Sequence, residues 1–238
     1  MKKKRNISII IVIIVSIALI IGISIKILDN TGKINQGDYR LNDIVITSKI
    51  DVVESKTVEK TATSTDVTTA KNINNLSFDL SQKNSIELLV SKDMEAKEAY
   101  IDNISLSEPS KKGEITFSIN DKTQTIDSLK KDIELKEKNN QYYVEIKIDN
   151  NNFVKEAKIP EGTNEISLDG TILDVLSIKL SEVSLELRFD LNIIDSSGKK
   201  NVCKLKFKMP SETLIKEGIS VTREDKSNYI FSLRDNNN

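Results

Sequence analysis

The chain has 238 residues, with 35 Lys+Arg against 36 Asp+Glu, no His, no Trp and a single Cys. The missing His excludes Ser-His-Asp and Cys-His catalysis and removes the commonest zinc ligand, and one Cys cannot close a disulfide within the chain. Aromatic residues at 5% leave little to stack on sugar rings, and the mildly acidic balance beyond Lys26 indicates neither a basic stripe for nucleic acid nor a polybasic patch for anionic lipid.

At the N-terminus, Lys2, Lys3, Lys4 and Arg5 precede residues 7–25, an uncharged run of Ile, Val, Leu, Ala, Gly and Ser. In a helix such a run covers roughly 30 Å, the thickness of a bilayer's hydrocarbon core. The basic cluster outweighs the lone Lys26 on the far side, so the N-terminus is expected in the cytoplasm. The reading is a cytoplasmic tip at 1–6, a single-pass transmembrane signal anchor at 7–27, and the rest outside the cytoplasm, extracellular or periplasmic. No A-x-A-like triplet follows the run, which argues for retention rather than cleavage. The only Cys, Cys203, is too far along the chain to carry a lipid anchor. Ala18 and Gly22 form a small-residue pair that would support at most a weak homodimer within the bilayer.

Residues 28–75 read as a stalk or linker. Its second half, 54–75, is rich in Thr, Ser, Lys and Asn and can bury little. Within it Ile44, Ile46, Ile50 and Val52 alternate, so that 44–53 reads equally as a strand joining the domain or as a stretch apart from it.

The domain itself is expected over 76–238. Three apolar sets, Leu76, Phe78 and Leu80, then Ile86, Leu88 and Val90, then Ile115, Phe117 and Ile119, alternate with polar residues, as half-buried strands do. Tyr142, Val144, Ile146 and Ile148 follow suit, and Asp149-Asn150-Asn151-Asn152 reads as a turn that folds residues 153–159 back as a hairpin partner. Calcium at those four residues is the competing reading, set aside because the EF-hand order of acids and Gly is missing. Asp169-Gly170 marks a further turn before an apolar run at 172–180. Helix-like composition is confined to 91–98 and 126–131, each short enough to be a loop turn.

The clearest element lies near the C-terminus. Leu185, Leu187, Phe189, Leu191 and Ile193 share one face, and after a Ser196-Ser197-Gly198 turn the apolar set resumes as Cys203, Leu205, Phe207 and Met209. Pairing must set odd residues against odd ones, since a one-residue slip would place Lys204, Lys206 or Lys208 against Leu. Asp190 then meets a lysine, Cys203 is buried, and the lysine row is a solvated outer face rather than an anion site. Short strands joined by polar turns predict an all-β fold, an antiparallel β-sandwich of one module or, with a split near 139–140, of two.

Candidate chemistry is thin. Asp102 and Asp174 interrupt apolar patterns, and Glu182, Glu186 and Asp190 are further acids for a carboxylate pair. A Ser-Lys pair survives on composition alone; Met209-Pro210-Ser211 reverses the Ser-Met-x-Pro order of type I signal peptidases and sits at the wrong end of the chain. No residue is assigned to catalysis, to a cofactor or to a metal. The expectation is a non-catalytic binding or assembly module of the bacterial cell envelope, in contact with the membrane through 7–27 and with an envelope protein or wall partner, not with nucleic acid. The alternative is an envelope hydrolase using carboxylates or a Ser-Lys pair.

Overall fold

The structure, a computed structural model, describes residues 37–58, 73–126, 130–160 and 172–234. The run at 7–25 and the Asp169-Gly170 turn lie outside the described residues, among which no helix is long and apolar enough to cross a membrane. The fold is all-β, and every strand pairing is antiparallel. The strands are β1 (Leu41–Val58), β2 (Ile73–Ser91), β3 (Ala96–Ser107), β4 (Glu114–Ile119), β5 (Lys122–Gln124), β6 (Lys131–Asp132), β7 (Lys136–Lys138), β8 (Gln141–Pro160), β9 (Leu185–Asp195), β10 (Lys200–Met209), β11 (Ile219–Arg223) and β12 (Ser232–Arg234). Three short helices, α1 (Ile172–Val175), α2 (Leu180–Val183) and α3 (Thr213–Glu217), and one 3-10 turn (Lys226–Asn228) complete the described elements.

A seven-stranded sheet runs β11-β1-β2-β8-β4-β5, with β7 also on β8, and a five-stranded sheet runs β12-β10-β9-β3-β6. Inward side chains of both sheets, among them Ile44, Leu88, Val144, Ile101, Phe189, Cys203 and Phe207, form one buried cluster. The β9–β10 register is the one that parity requires, with Phe189 opposite Leu205, Leu191 opposite Cys203 and Asp190 opposite Lys204. Burial pushes the Cys203 thiol up to about 12, which makes it an inert core group.

A second buried cluster lies farther along the three longest strands. Ile50, Phe78, Leu80 and Phe153 are covered by Leu173, Leu176, Ile178, Val183 and Leu214 from the helical segments. Between the two clusters, the inward positions turn polar: Ser48, Gln82, Asn84, Asn150 and Ser220 are all buried. Gln82 Nε2 donates to Asn84 Oδ1 at 3.0 Å, and Asn84 Nδ2 donates to the Ile148 carbonyl at 2.8 Å. Asn150 accepts from Gly113 N at 2.8 Å and donates to the Lys111 carbonyl at 2.8 Å. The approach is so close that a Cβ on Gly113 would stand 1.9 Å from the Asn151 carbonyl oxygen, so only glycine fits.

Several expectations are corrected here. Of residues 28–75, placed in the stalk with 44–53 open as a strand, 41–58 and 73–75 are strand; β1 lies between β11 and β2 and buries Leu41, Ile44, Ile46 and Ile50. Polar composition misled because half of a sheet strand faces water and one inward position of β1 is Ser48. The supposed turn at 149–152 is a bulge inside the continuous β8: Leu80 faces Phe153 while Gln82 faces Asn150, and the extra residue is taken up with Asn152 at φ 57°. Asn139-Asn140 is a two-residue hairpin turn with both φ positive, joining β7 to β8, and not a module boundary. The apolar run at 172–180 gives helical turns, and the helix-like 91–98 spans the end of β2, a short connection and the start of β3.

Because β1 supplies four buried apolar side chains, each worth about 1.5–3 kcal/mol against a total stability of about 5–15, removing it should unfold the domain. A fragment starting at residue 71 is expected to show no cooperative melt, whereas one starting at residue 37 melts cooperatively. A sharp melt of the shorter fragment, followed by circular dichroism, would contradict the placement of β1.

Candidate functional site

The seven-stranded sheet ends on β11, and among the described residues nothing pairs with its second edge. An open edge presents unpaired N–H and C=O groups to any extended chain that can lie beside it. On this edge the usual pattern is inverted. Ser220 points inward, opposite the buried Ser48, and Ile219 and Val221 point out, 41% and 62% exposed. The Gly218 carbonyl accepts from Ile50 N at 3.0 Å and Glu224 N donates to the Ile44 carbonyl at 3.1 Å, so β11 is tied to β1 at both ends and its facing is set.

The outward neighbours of Ile219 and Val221 continue across the sheet. Lys49 stands opposite Ile219 and Thr47 opposite Val221; next come Lys83 and Ser85 on β2, then Asp149 and Lys147 on β8. Thr47, Lys49, Lys83, Ser85, Lys147 and Asp149 line a shallow open cleft of about 340 Å³, in the lower range of small-ligand sites. Its lysines are partnered: Lys49 with Asp51 at 2.6 Å, Lys83 with Asp51 at 3.4 Å, and Lys147 with Asp121 at 2.7 Å and Glu145 at 3.1 Å. The hydrogen bond from Lys49, first among several influences, holds the Asp51 carboxyl below its ordinary range. Burial acts the other way on Asp149, raising its carboxyl despite the attraction of Lys83 and Lys147.

The acids singled out in the sequence scatter. Asp102 and Asp190 come directly opposite each other on β3 and β9. Asn103 Nδ2 donates to Asp190 Oδ2 at 3.0 Å and to Asp102 Oδ1 at 3.4 Å, and Asn192 Nδ2 donates to Asp102 Oδ1 at 2.9 Å. Asp190 faces Lys204 in register, yet its carboxylate is taken by the amide and the two form no ion pair. Asp174 is exposed on α1, between residues that cover the second buried cluster, whereas that pair lies on the five-stranded sheet. Glu182 accepts from Lys179 N at 2.8 Å, and Glu186 is bound by Arg188 and by Lys206 at 3.2 Å. Among the described residues no group of three or more acids or thiols is placed to hold a metal ion; within 149–152, Asn150 is committed to the β4–β8 contact.

Sequence reasoning missed Ile219 and Val221. The Ile-Ser-Val-Thr alternation after Gly218 is a strand signal, but read by period alone it sends Ile219 and Val221 to the core. Only the pairing of Ser220 with the polar position Ser48 reverses it. Comparison with protein-family models, with curated proteins and with solved structures yields no match to this chain.

The cleft offers a test by titration. Folded Asp149 holds its proton to higher pH than the unfolded chain, so its ionisation at neutral pH opposes folding, and that opposition vanishes below the unfolded value of about 3.9. Asp149→Asn should therefore raise Tm at pH 7 and leave it unchanged near pH 3. A lower Tm at pH 7 would mean that Lys83 and Lys147 hold the carboxylate in place and outweigh its burial.

Proposed function

We propose that the chain is a single-pass membrane protein of the bacterial cell envelope, N-terminus in the cytoplasm, whose domain stands outside as a β-sandwich and works as a non-catalytic binding or assembly module. The anchor reading rests on the uncharged run at 7–25 behind Lys2 to Arg5. The sandwich reading is supported by the one buried cluster to which both sheets contribute. The binding reading is carried by β11, an open edge whose outward side chains are Ile219 and Val221. An extended segment of an envelope partner adding itself to that edge would gain main-chain hydrogen bonds from the strand and cover the two apolar side chains.

Burial of either side chain would contribute about 1 kcal/mol, roughly fivefold in affinity. A photo-crosslinking residue at position 221, in the full-length protein in intact cells, should capture one reproducible envelope protein. Ile219→Lys, made with the crosslinking residue kept at position 221, should abolish that adduct while the melt shifts by no more than about 0.5 kcal/mol, as exposed substitutions do. The reading fails if position 221 yields no adduct and the purified protein turns over a peptidoglycan or ester substrate. Loss of that turnover on Asp102→Asn or Asp190→Asn would assign the hydrolase alternative to the carboxylate pair.

A further inference from the structure

Chemistry on the opposite sheet points to a second contact. The outward row of β10 is Lys200, Lys204, Lys206 and Lys208; Arg188 faces Lys206 from β9, and Arg234 on β12 faces Lys200 directly. Like charges set opposite each other across a strand pair are destabilising, and here they stand at an edge of the sheet. The acids of the same face do little to balance them. Glu186, opposite Lys208 in register, serves Arg188 and Lys206; Asp190, opposite Lys204, and Asp102 beside it are held by Asn103 and Asn192; Glu98 and Asp132, on β3 and β6, pair with Lys130. Lys200, Lys204, Lys208 and Arg234 have no carboxylate in ion-pairing reach among the described residues, and Lys200 rests over the Tyr100 ring, 5.3 Å from its centroid. This basic concentration is found in a chain that beyond Lys26 carries more acids than bases, so its placement on one edge is not a by-product of composition.

The start of the domain lies at that edge. Gly37 N donates to the Phe231 carbonyl at 2.7 Å, just before β12, and Asp38 N donates to Asn201 Oδ1 at 2.9 Å, at the head of β10. A Cβ on Gly37 would stand 2.6 Å from Asn201 Oδ1 and 2.9 Å from the Phe231 Cβ, so the chain is held tightly there. Residues 27–36 are all that separate Gly37 from the apolar run and Lys26, a length that covers about 35 Å when fully extended. Any bilayer that holds residues 7–25 is therefore within reach of Lys200, Lys204 and Arg234.

We propose that the β10–β12 edge, through Lys200, Lys204, Lys208 and Arg234, docks on the anionic phospholipid headgroups of the bilayer in which the chain is anchored. The proposal rests on the anchor reading. Its consequence is that contact with the bilayer is made by this edge and weakens with salt. Attraction of this kind is felt within a Debye length, about 8 Å at physiological salt, and each cation near the surface strengthens it about fivefold.

The test uses the full-length protein with Cys203→Ser and a fluorophore on Ser196→Cys, in the exposed β9–β10 turn, reconstituted in nanodiscs that carry a headgroup-attached quencher. Discs of phosphatidylcholine are compared with an equimolar mixture with phosphatidylglycerol. Quenching should be strong in the anionic discs, weak in the neutral ones and lost at high salt. Lys204→Gln with Lys208→Gln should lower the docked-to-free ratio by about 25-fold. Equal quenching in both discs, or quenching indifferent to the lysine substitutions, overturns the docking while leaving the anchor intact. Weak quenching in both discs with tight binding of soluble polyphosphate would assign the edge to a polyanionic polymer and likewise overturn it. A chain that fails to incorporate into either disc removes the anchor, and the docking with it.

Discussion

The fold depends on three strands that are longer than one core can use. β1, β2 and β8 run 18, 19 and 20 residues, about 60 Å at 3.3 Å per residue. Alternation fixes their inward positions wherever their side chains are described, and those positions serve two apolar clusters in succession. The five-stranded sheet contributes to the first, and α1, α2 and α3 with their flanking segments cover the second. Where one cluster gives way to the other, Ser48, Gln82, Asn84, Asn150 and Ser220 occupy the inward face. Buried amides are costly unless bonded, and those of Asn84 and Asn150 are bonded to backbone from β8, Lys111 and Gly113. The bulge at 151–152 sits in the same band and adjusts the β2–β8 register there.

That band also decides which way β11 faces. Ser220 joins it opposite Ser48, and so Ile219 and Val221 must point outward. The exposed apolar edge is thus a consequence of the internal polar step and not an independent surface feature. On the other sheet the unbroken odd-residue face of β9 and β10 sends every lysine of β10 to the outside. The two surfaces differ accordingly: one is an apolar open edge, the other a basic row with few carboxylate partners.

The sequence makes β9 and β10 legible to the residue, because apolar and polar positions alternate without a break over 185–193 and over 203–209, and a slip would bury lysine. β1 was only half legible. Thr47 and Lys49 face water and Ser48 the polar band, and such a strand has the composition of a linker. The run at 149–152 shows the limit of local chemistry: Asn tolerates positive φ in a turn and in a bulge alike, and only the partner strand tells them apart. Residues 172–180 are apolar without a clear period, so helix and strand stay indistinguishable until the second cluster is seen to need a cover. At the candidate site, the Asp102–Asp190 juxtaposition and the outward Val221 both depend on cross-strand register between distant segments. No spacing within one strand encodes either.

Native-state hydrogen exchange at increasing denaturant tests the central claim, that the three long strands bind both clusters into one cooperative unit. The account predicts that amides of Ile46 on β1, Ile146 on β8 and Leu80 in the second cluster converge on the same opening free energy as those of Phe189 and Leu191 on β9. Exchange of Leu80 and Ile46 through a separate, lower opening while Phe189 and Leu191 stay protected would contradict it.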